Sequence, residues 1–90
     1  HTHVPTRDER ILENGTAYIS DAGMCGDYNS VMGFNKKIFL KKLLIGKAKK
    51  NFPVEKNISL SGVIVHSNAK SGLANKVEGL IYGGSLKNFY

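Results

Sequence analysis

One cysteine, two prolines and no tryptophan occur in the 90 residues. A single cysteine excludes an internal disulfide framework and a zinc site built on several thiolates. No apolar run approaches the ~20 residues that a membrane-spanning helix needs. No charged-then-apolar leader opens the chain. A cytoplasmic setting without membrane association is therefore expected. A start codon is also missing from view: the chain opens on His1, not Met. That points to a processed product, a fragment or a sequence trimmed at its N-terminus. What is present, 41% hydrophobic and 22% charged residues, is ordinary globular composition, enough for one small domain. A domain this small buries roughly 60% of its unfolded surface, so its core is limited. A piece cut from a larger sheet would also expose an edge.

The net charge of +6 is unevenly spread. Residues 1–35 carry more acid than base, whereas residues 36–50 hold seven lysines and no acid. Such a block attracts polyanions at long range. Two features favour a plain solvated helix face instead. Arginine, the better phosphate fork, is absent from the block, and Phe39 reads as one of the apolar set rather than as a stacking platform for single strands. Nucleic acid is not established as a partner.

Along the chain, Asp8–Leu12 allows a short turn of helix and Asn14-Gly15 signals a turn. Thr16–Ser20 is β-rich and predicts a short strand. Residues 21–33 contain Gly23, Gly26 and Gly33. They read as a glycine-rich loop whose amides could approach a ligand, with Gly23 and Gly26 as candidate substrate-loop positions. No Gly-Lys-Ser/Thr follows, so it is not a nucleotide P-loop. Asn35 can cap a helix over 36–45 with one buried apolar stripe, stopped by Gly46, within a basic amphipathic segment spanning 36–50. Residues 57–83 predict a β-hairpin. Its strands alternate Ile58, Leu60 and Ile64 against Ser59, Ser61, Val63 and Val65 in the first, and Val77 and Ile81 against Leu80 and Tyr82 in the second. Gly83-Gly84 and the tail read as a loop or frayed end. The fold class is α/β, ordered strand, helix, hairpin.

His1-Thr2-His3 is the one metal-like spacing. Residues two apart in an extended segment point the same way, and neutral imidazole suits transition metals. Alone, a His-x-His is weak. It is followed, however, by Val4-Pro5-Thr6, by Asp8-Glu9-Arg10-Ile11-Leu12, and by an unbroken run from Gly15 through Tyr18, Asp21, Gly23, Met24, Cys25, Gly26, Asp27 and Tyr28 to Gly33. This ordered string resembles the C-terminal segment of a bacterial family of calcineurin-like metallophosphoesterases. That family is associated with hydrolysis of cyclic nucleotides, including 2′,3′-cyclic ones, and other phosphodiesters. The likeness is strong over residues 1–35 and weaker through the helix and hairpin to Gly84.

The resemblance implies that His1 and His3 each ligate one ion of a dinuclear site holding two divalent metals of the Mn, Fe or Zn class. It implies that the remaining ligands come from earlier strands that precede this chain. It further implies that residues 1–90 are the C-terminal part of a four-layer α/β sandwich, inactive by itself. Asp21 could orient a ligand histidine or simply cap a strand end. Cys25 reads as a small loop residue, without a partner base, and His66 as a surface residue. Arg7 and Lys37 depart from the family's habit without touching the ligand set. The candidate protein partners are an N-terminal fragment of the same fold and a second copy of this chain. The other readings are a non-catalytic basic binding or assembly module that keeps the fold segment, and an unrelated structural domain.

Overall fold

In the computed structural model, residues 1–47 and 49–90 are described. The chain opens as an irregular segment with bends at Val4 and Arg7 and then forms two minimal strands, β1 (Arg10–Ile11) and β2 (Ala17–Tyr18), paired antiparallel. The Asn14-Gly15 turn closes them. Gly15 adopts φ +83°, its N–H donates to the Leu12 carbonyl at 2.9 Å, and the Leu12 N–H donates to Thr16 at 2.8 Å. Residues 8–12 therefore do not form the helical turn their composition allows. The turn ties Leu12 back to Thr16, and that cross-link sets the local conformation.

β3 (Gly26–Asp27) lies inside the glycine-rich run and pairs with β4 (Ile58–Ser67), which pairs in turn with β5 (Ala74–Tyr82). Gly26 faces Ser59 and Asp27 faces Ile58. The β4–β5 hairpin runs from Leu60↔Tyr82 to His66↔Lys76, with an irregularity at His66/Ser67. It matches the predicted hairpin closely. The tail is not frayed: Ile81 and Phe89 exchange two backbone hydrogen bonds at 2.7 and 2.8 Å.

α1 (Lys36–Ile45) starts and stops where its caps dictate. The Asn35 side chain accepts the Ile38 N–H at 3.0 Å, and Gly46, left-handed at φ +76°, donates its N–H to Lys42 at 2.8 Å. Asn35→Ala should cost about 1 kcal/mol of helix stability, readable as lost helical ellipticity and an earlier thermal transition. The expected buried stripe is absent. No helix residue is buried, and Leu43 and Leu44 are 67% and 84% exposed.

That exposure is general. Ile81 is the one buried hydrophobic residue among those described, while Asp27, Ser59 and Ser61 are buried polar ones. The radius of gyration is 17.0 Å, against about 12 Å for a compact 90-residue domain. The accessible surface is 6802 Å², against about 5,200 Å² for a globular protein of this mass. The reason is which hairpin face is covered. Ser59, Ser61 and Val63 share a face with Gly79 and Ile81, and the 5–25 segment and Phe89 lie against it. The opposite face, with Leu60, Ile64 and Tyr82, is open. No described helix is long and apolar enough to cross a membrane.

Candidate metal centre

The His1–His3 segment is held by short polar side chains that follow it in sequence. The Thr2 hydroxyl donates to the Asp21 carboxylate, and the same oxygen accepts the Val4 N–H at 3.2 Å. Asp21 also accepts the Gly23 N–H at 2.8 Å. Four residues further along, the Thr6 N–H donates to the Asp21 carbonyl at 2.9 Å and the Thr6 hydroxyl donates to Asp8 at 2.6 Å. Asp8 in turn accepts both the hydroxyl and the backbone N–H of Ser20. The hydroxyl partner of Asp21 is the threonine between the two histidines, not an imidazole.

His3 itself adopts φ +63°, in the left-handed region that non-glycine residues seldom occupy. Its carbonyl accepts the Tyr28 hydroxyl at 3.0 Å, and that hydroxyl oxygen also accepts the Met24 N–H at 2.9 Å. His3 lines a recess of about 130 Å³ with Met24, Tyr28, Ser30 and Met32. Met32, at φ +50°, is the other described non-glycine residue with positive φ. Strained backbone of this kind persists where surrounding contacts over-determine it, and it gathers at functional sites. Tyr28 and Thr2 are the supporting residues that spacing did not single out. Thr2 was visible between the two histidines, but Tyr28 carries no local signal, because its partners are four and 25 residues away.

Hydrogen bonds hold the carboxyls of Asp8 and Asp21 below the usual carboxylate range. For Asp8 the Ser20 and Thr6 hydroxyls dominate, and for Asp21 the Thr2 hydroxyl and then the Gly23 N–H. A lowered folded-state value stabilises the fold above the unfolded carboxylate value of about 3.9. The contribution is lost as pH falls from there through the folded values. The anchoring of residues 1–8 should therefore persist to about pH 4 and loosen only below it. Amide exchange of Thr6 and Ser20 between pH 6 and 3 checks this, against a Thr6→Val variant in which the loosening is already present at pH 6.

The candidate substrate-loop glycines are placed by packing. Gly23, at φ +86°, lies where a Cβ would meet Pro5 and Ser61 carbons at 2.9–3.0 Å. Gly26 is a paired strand residue with only ordinary contact to Met24. Cys25 is exposed and donates its thiol to the Ser61 carbonyl at 3.3 Å. His66 is a surface residue 3.7 Å from Glu78. Among the described residues no three His, Cys, Asp or Glu side chains are grouped to hold a metal ion. What the described residues offer toward a metal is two imidazoles on one short segment, which do not by themselves complete a site.

The chain superposes on part of two larger solved structures. A crystal structure from Mycoplasma pneumoniae, titled a novel phosphatase, superposes with a TM-score of 0.80 at 32% identity, over 93% of this chain and 30% of that one. A hypothetical protein from Thermus thermophilus superposes at 0.77 with 27% identity, over 93% and 32%. A family profile described as YmdB-like protein matches residues 1–80, and the chain belongs to that family. It is 38% identical over 86 residues to a Bacillus subtilis protein named 2′,3′-cyclic-nucleotide 2′-phosphodiesterase, covering 90% of this chain and 31% of that protein. The chain spans under a third of the length of the curated relatives it matches.

Proposed function

We propose that this chain is the C-terminal segment of a dinuclear-metal phosphodiesterase acting on cyclic nucleotides or related phosphodiesters. In this reading it supplies His1 and His3 to the metal pair and the last strands of a four-layer α/β sandwich. The observation that carries it is the conformation of His3. A histidine is held in left-handed backbone by the Tyr28 hydroxyl, next to a threonine tied to Asp21, and it faces a small recess. A solvated tail has no need of such anchoring. The named relative supplies the reaction class.

Bound divalent cations of the Mn, Fe or Zn class would activate water and neutralise charge on the phosphoryl oxygens. The residues of this chain do the holding. His1 and His3 offer neutral imidazole nitrogens, and Thr2–Asp21 fixes the backbone between them. Tyr28 pins the far side of His3. Gly23 lets the 21–25 segment lie flat against Pro5 and Ser61, which keeps Asp21 under Thr2. Two ligands leave most of the coordination shell unfilled, so the 90-residue chain alone has no useful hydrolytic rate. Its uncovered apolar groups, Leu43, Leu44, Leu60 and Tyr82, suit association with the rest of the fold or with a second copy.

The test replaces the matching C-terminal third of the Bacillus subtilis relative with this chain and assays a 2′,3′-cyclic nucleotide and bis(p-nitrophenyl) phosphate. The chimera should hydrolyse phosphodiesters in a chelator-sensitive manner, and the isolated chain should not. Comparable metal-dependent turnover by the isolated chain would refute the partial-site reading.

A further inference from the structure

We propose that the helix α1 and the 49–56 segment form a binding surface for single-stranded nucleic acid, separate from the histidine segment and independent of the phosphodiesterase reading. Two grooves flank these elements. One, of about 440 Å³, is lined by the apolar Phe34, Ile38 and Phe39 and by Lys42, Lys49 and Lys50. The other, of about 380 Å³, sets Phe52 beside Lys36, Lys37 and Lys56 and is also lined by the carboxylates Asp27 and Glu55. Each volume lies in the range that accepts a nucleotide-sized group.

The lysine block thus differs from its appearance in the linear sequence. Phe39 lies in a groove together with lysines, and Phe34 and Phe52, 44% and 54% exposed, present ring surface to solvent beside them. The first groove has no carboxylate in its lining, whereas Asp27 and Glu55 offset part of the charge in the second. Among the described residues the lysine ion pair is Lys76–Glu78, at the far end of the hairpin. Lys36 meets only the Asn29 side-chain oxygen, at 2.8 Å. Two phenylalanines and three lysines in the first groove, beside one ten-residue helix, match a chain of alternating planar bases and phosphates. Base stacking on aromatics is sequence-tolerant, and lysines serve as point charges along the backbone. A duplex hides its base faces and would find only the lysines. A purely acidic peptide such as poly-glutamate would pair with the lysines but has no planar group to stack on the rings.

The experiment titrates the 90-residue chain into fluorescein-labelled 12-mers of oligo-dT and oligo-U, a 12-base-pair duplex, heparin and poly-glutamate, reading anisotropy for the labelled strands and competition for the others. The single strands should bind, with a log–log salt slope of about −3 to −4 for four to six phosphate contacts. Phe39→Leu, which keeps an apolar side chain, should weaken single-strand binding about tenfold and leave heparin competition unchanged. Lys42→Gln/Lys49→Gln/Lys50→Gln, all at exposed positions, should flatten the slope by about 2. Circular dichroism establishes that α1 persists in each variant. Absence of single-strand binding at low salt overturns the proposal. So does equal preference for duplex or heparin with no effect of Phe39→Leu, which would mean adventitious polyanion attraction. Phenylalanine-dependent binding of poly-glutamate in preference to the strands overturns it in favour of an acidic protein surface.

Discussion

Gly84→Ala should remove the folded hairpin end, with a loss of about 3 kcal/mol or more. Gly84 adopts φ +68°, where an L-residue pays ~1–2 kcal/mol for its Cβ. The added carbon would also meet backbone. It would lie 2.7 Å from the Ser59 nitrogen and 2.9 Å from the Asn57 carbonyl oxygen, and it would overlap the Ser59 hydroxyl. Ser59 is fully buried and donates that hydroxyl to the Gly83 carbonyl at 2.9 Å, so it has nowhere to move. The strain propagates because Ser59 is the residue that pairs with Gly26, and its neighbour Asn57 donates its N–H to the buried Asp27 at 3.1 Å. Pushing β4 away would detach β3 and with it the segment that carries Asp21. Urea or thermal unfolding of Gly84→Ala beside Gly72→Ala separates the two terms. Gly72 is also left-handed, at φ +75°, but nothing lies within 4 Å of its Cβ position. Gly72→Ala should therefore lose only the conformational part.

The same contacts show how much of the structure could be read from the residues. The hairpin was legible because its alternation is long and any one-residue slip would move every side chain to the other face. The helix was legible because Asn35 and Gly46 are chemically suited to their ends. β1 and β3 were not legible. Each is two residues long, and each exists because a distant partner supplies its hydrogen bonds. Periodicity also groups residues into faces without telling which face is covered. The covered face of β4 is the serine one, because Gly23, Gly79 and Gly84 let other segments approach it closely, while the leucine and isoleucine side faces out. The tail was misread for a related reason. Phe89 is fixed by pairing with Ile81 and by the Arg7 guanidinium 4.4 Å above its ring, both remote in sequence. At the candidate site, the two histidines were visible from the ordered string that contains them. The left-handed turn of His3, and the tyrosine that pins it, depend on contacts across 25 residues and leave no trace in spacing.

In the chimeric enzyme, His3→Ala should abolish phosphodiesterase activity to within background, and Thr2→Val should lower metal affinity about 10–100-fold. The two losses differ in kind. On the proposed reading, His3→Ala removes a ligand outright, so excess metal cannot restore the rate. Thr2→Val keeps the volume but removes the hydroxyl that Asp21 holds and that accepts the Val4 N–H. The imidazoles then stay in place chemically but lose their fixed backbone. That defect is one of affinity, so raising the free metal concentration should recover most of the rate. Asp21→Asn tests the same tie from its other end. It keeps an acceptor for Thr2 but removes the negative charge, and it should fall between wild type and Thr2→Val. Activity against free metal, measured for the three variants alongside metal content by elemental analysis, distinguishes these outcomes. A His3→Ala chimera with intact metal content and rate would place the metal ligands elsewhere in the protein. A Thr2→Val chimera whose loss is not recovered by metal would assign Thr2–Asp21 to holding the fold rather than the histidines.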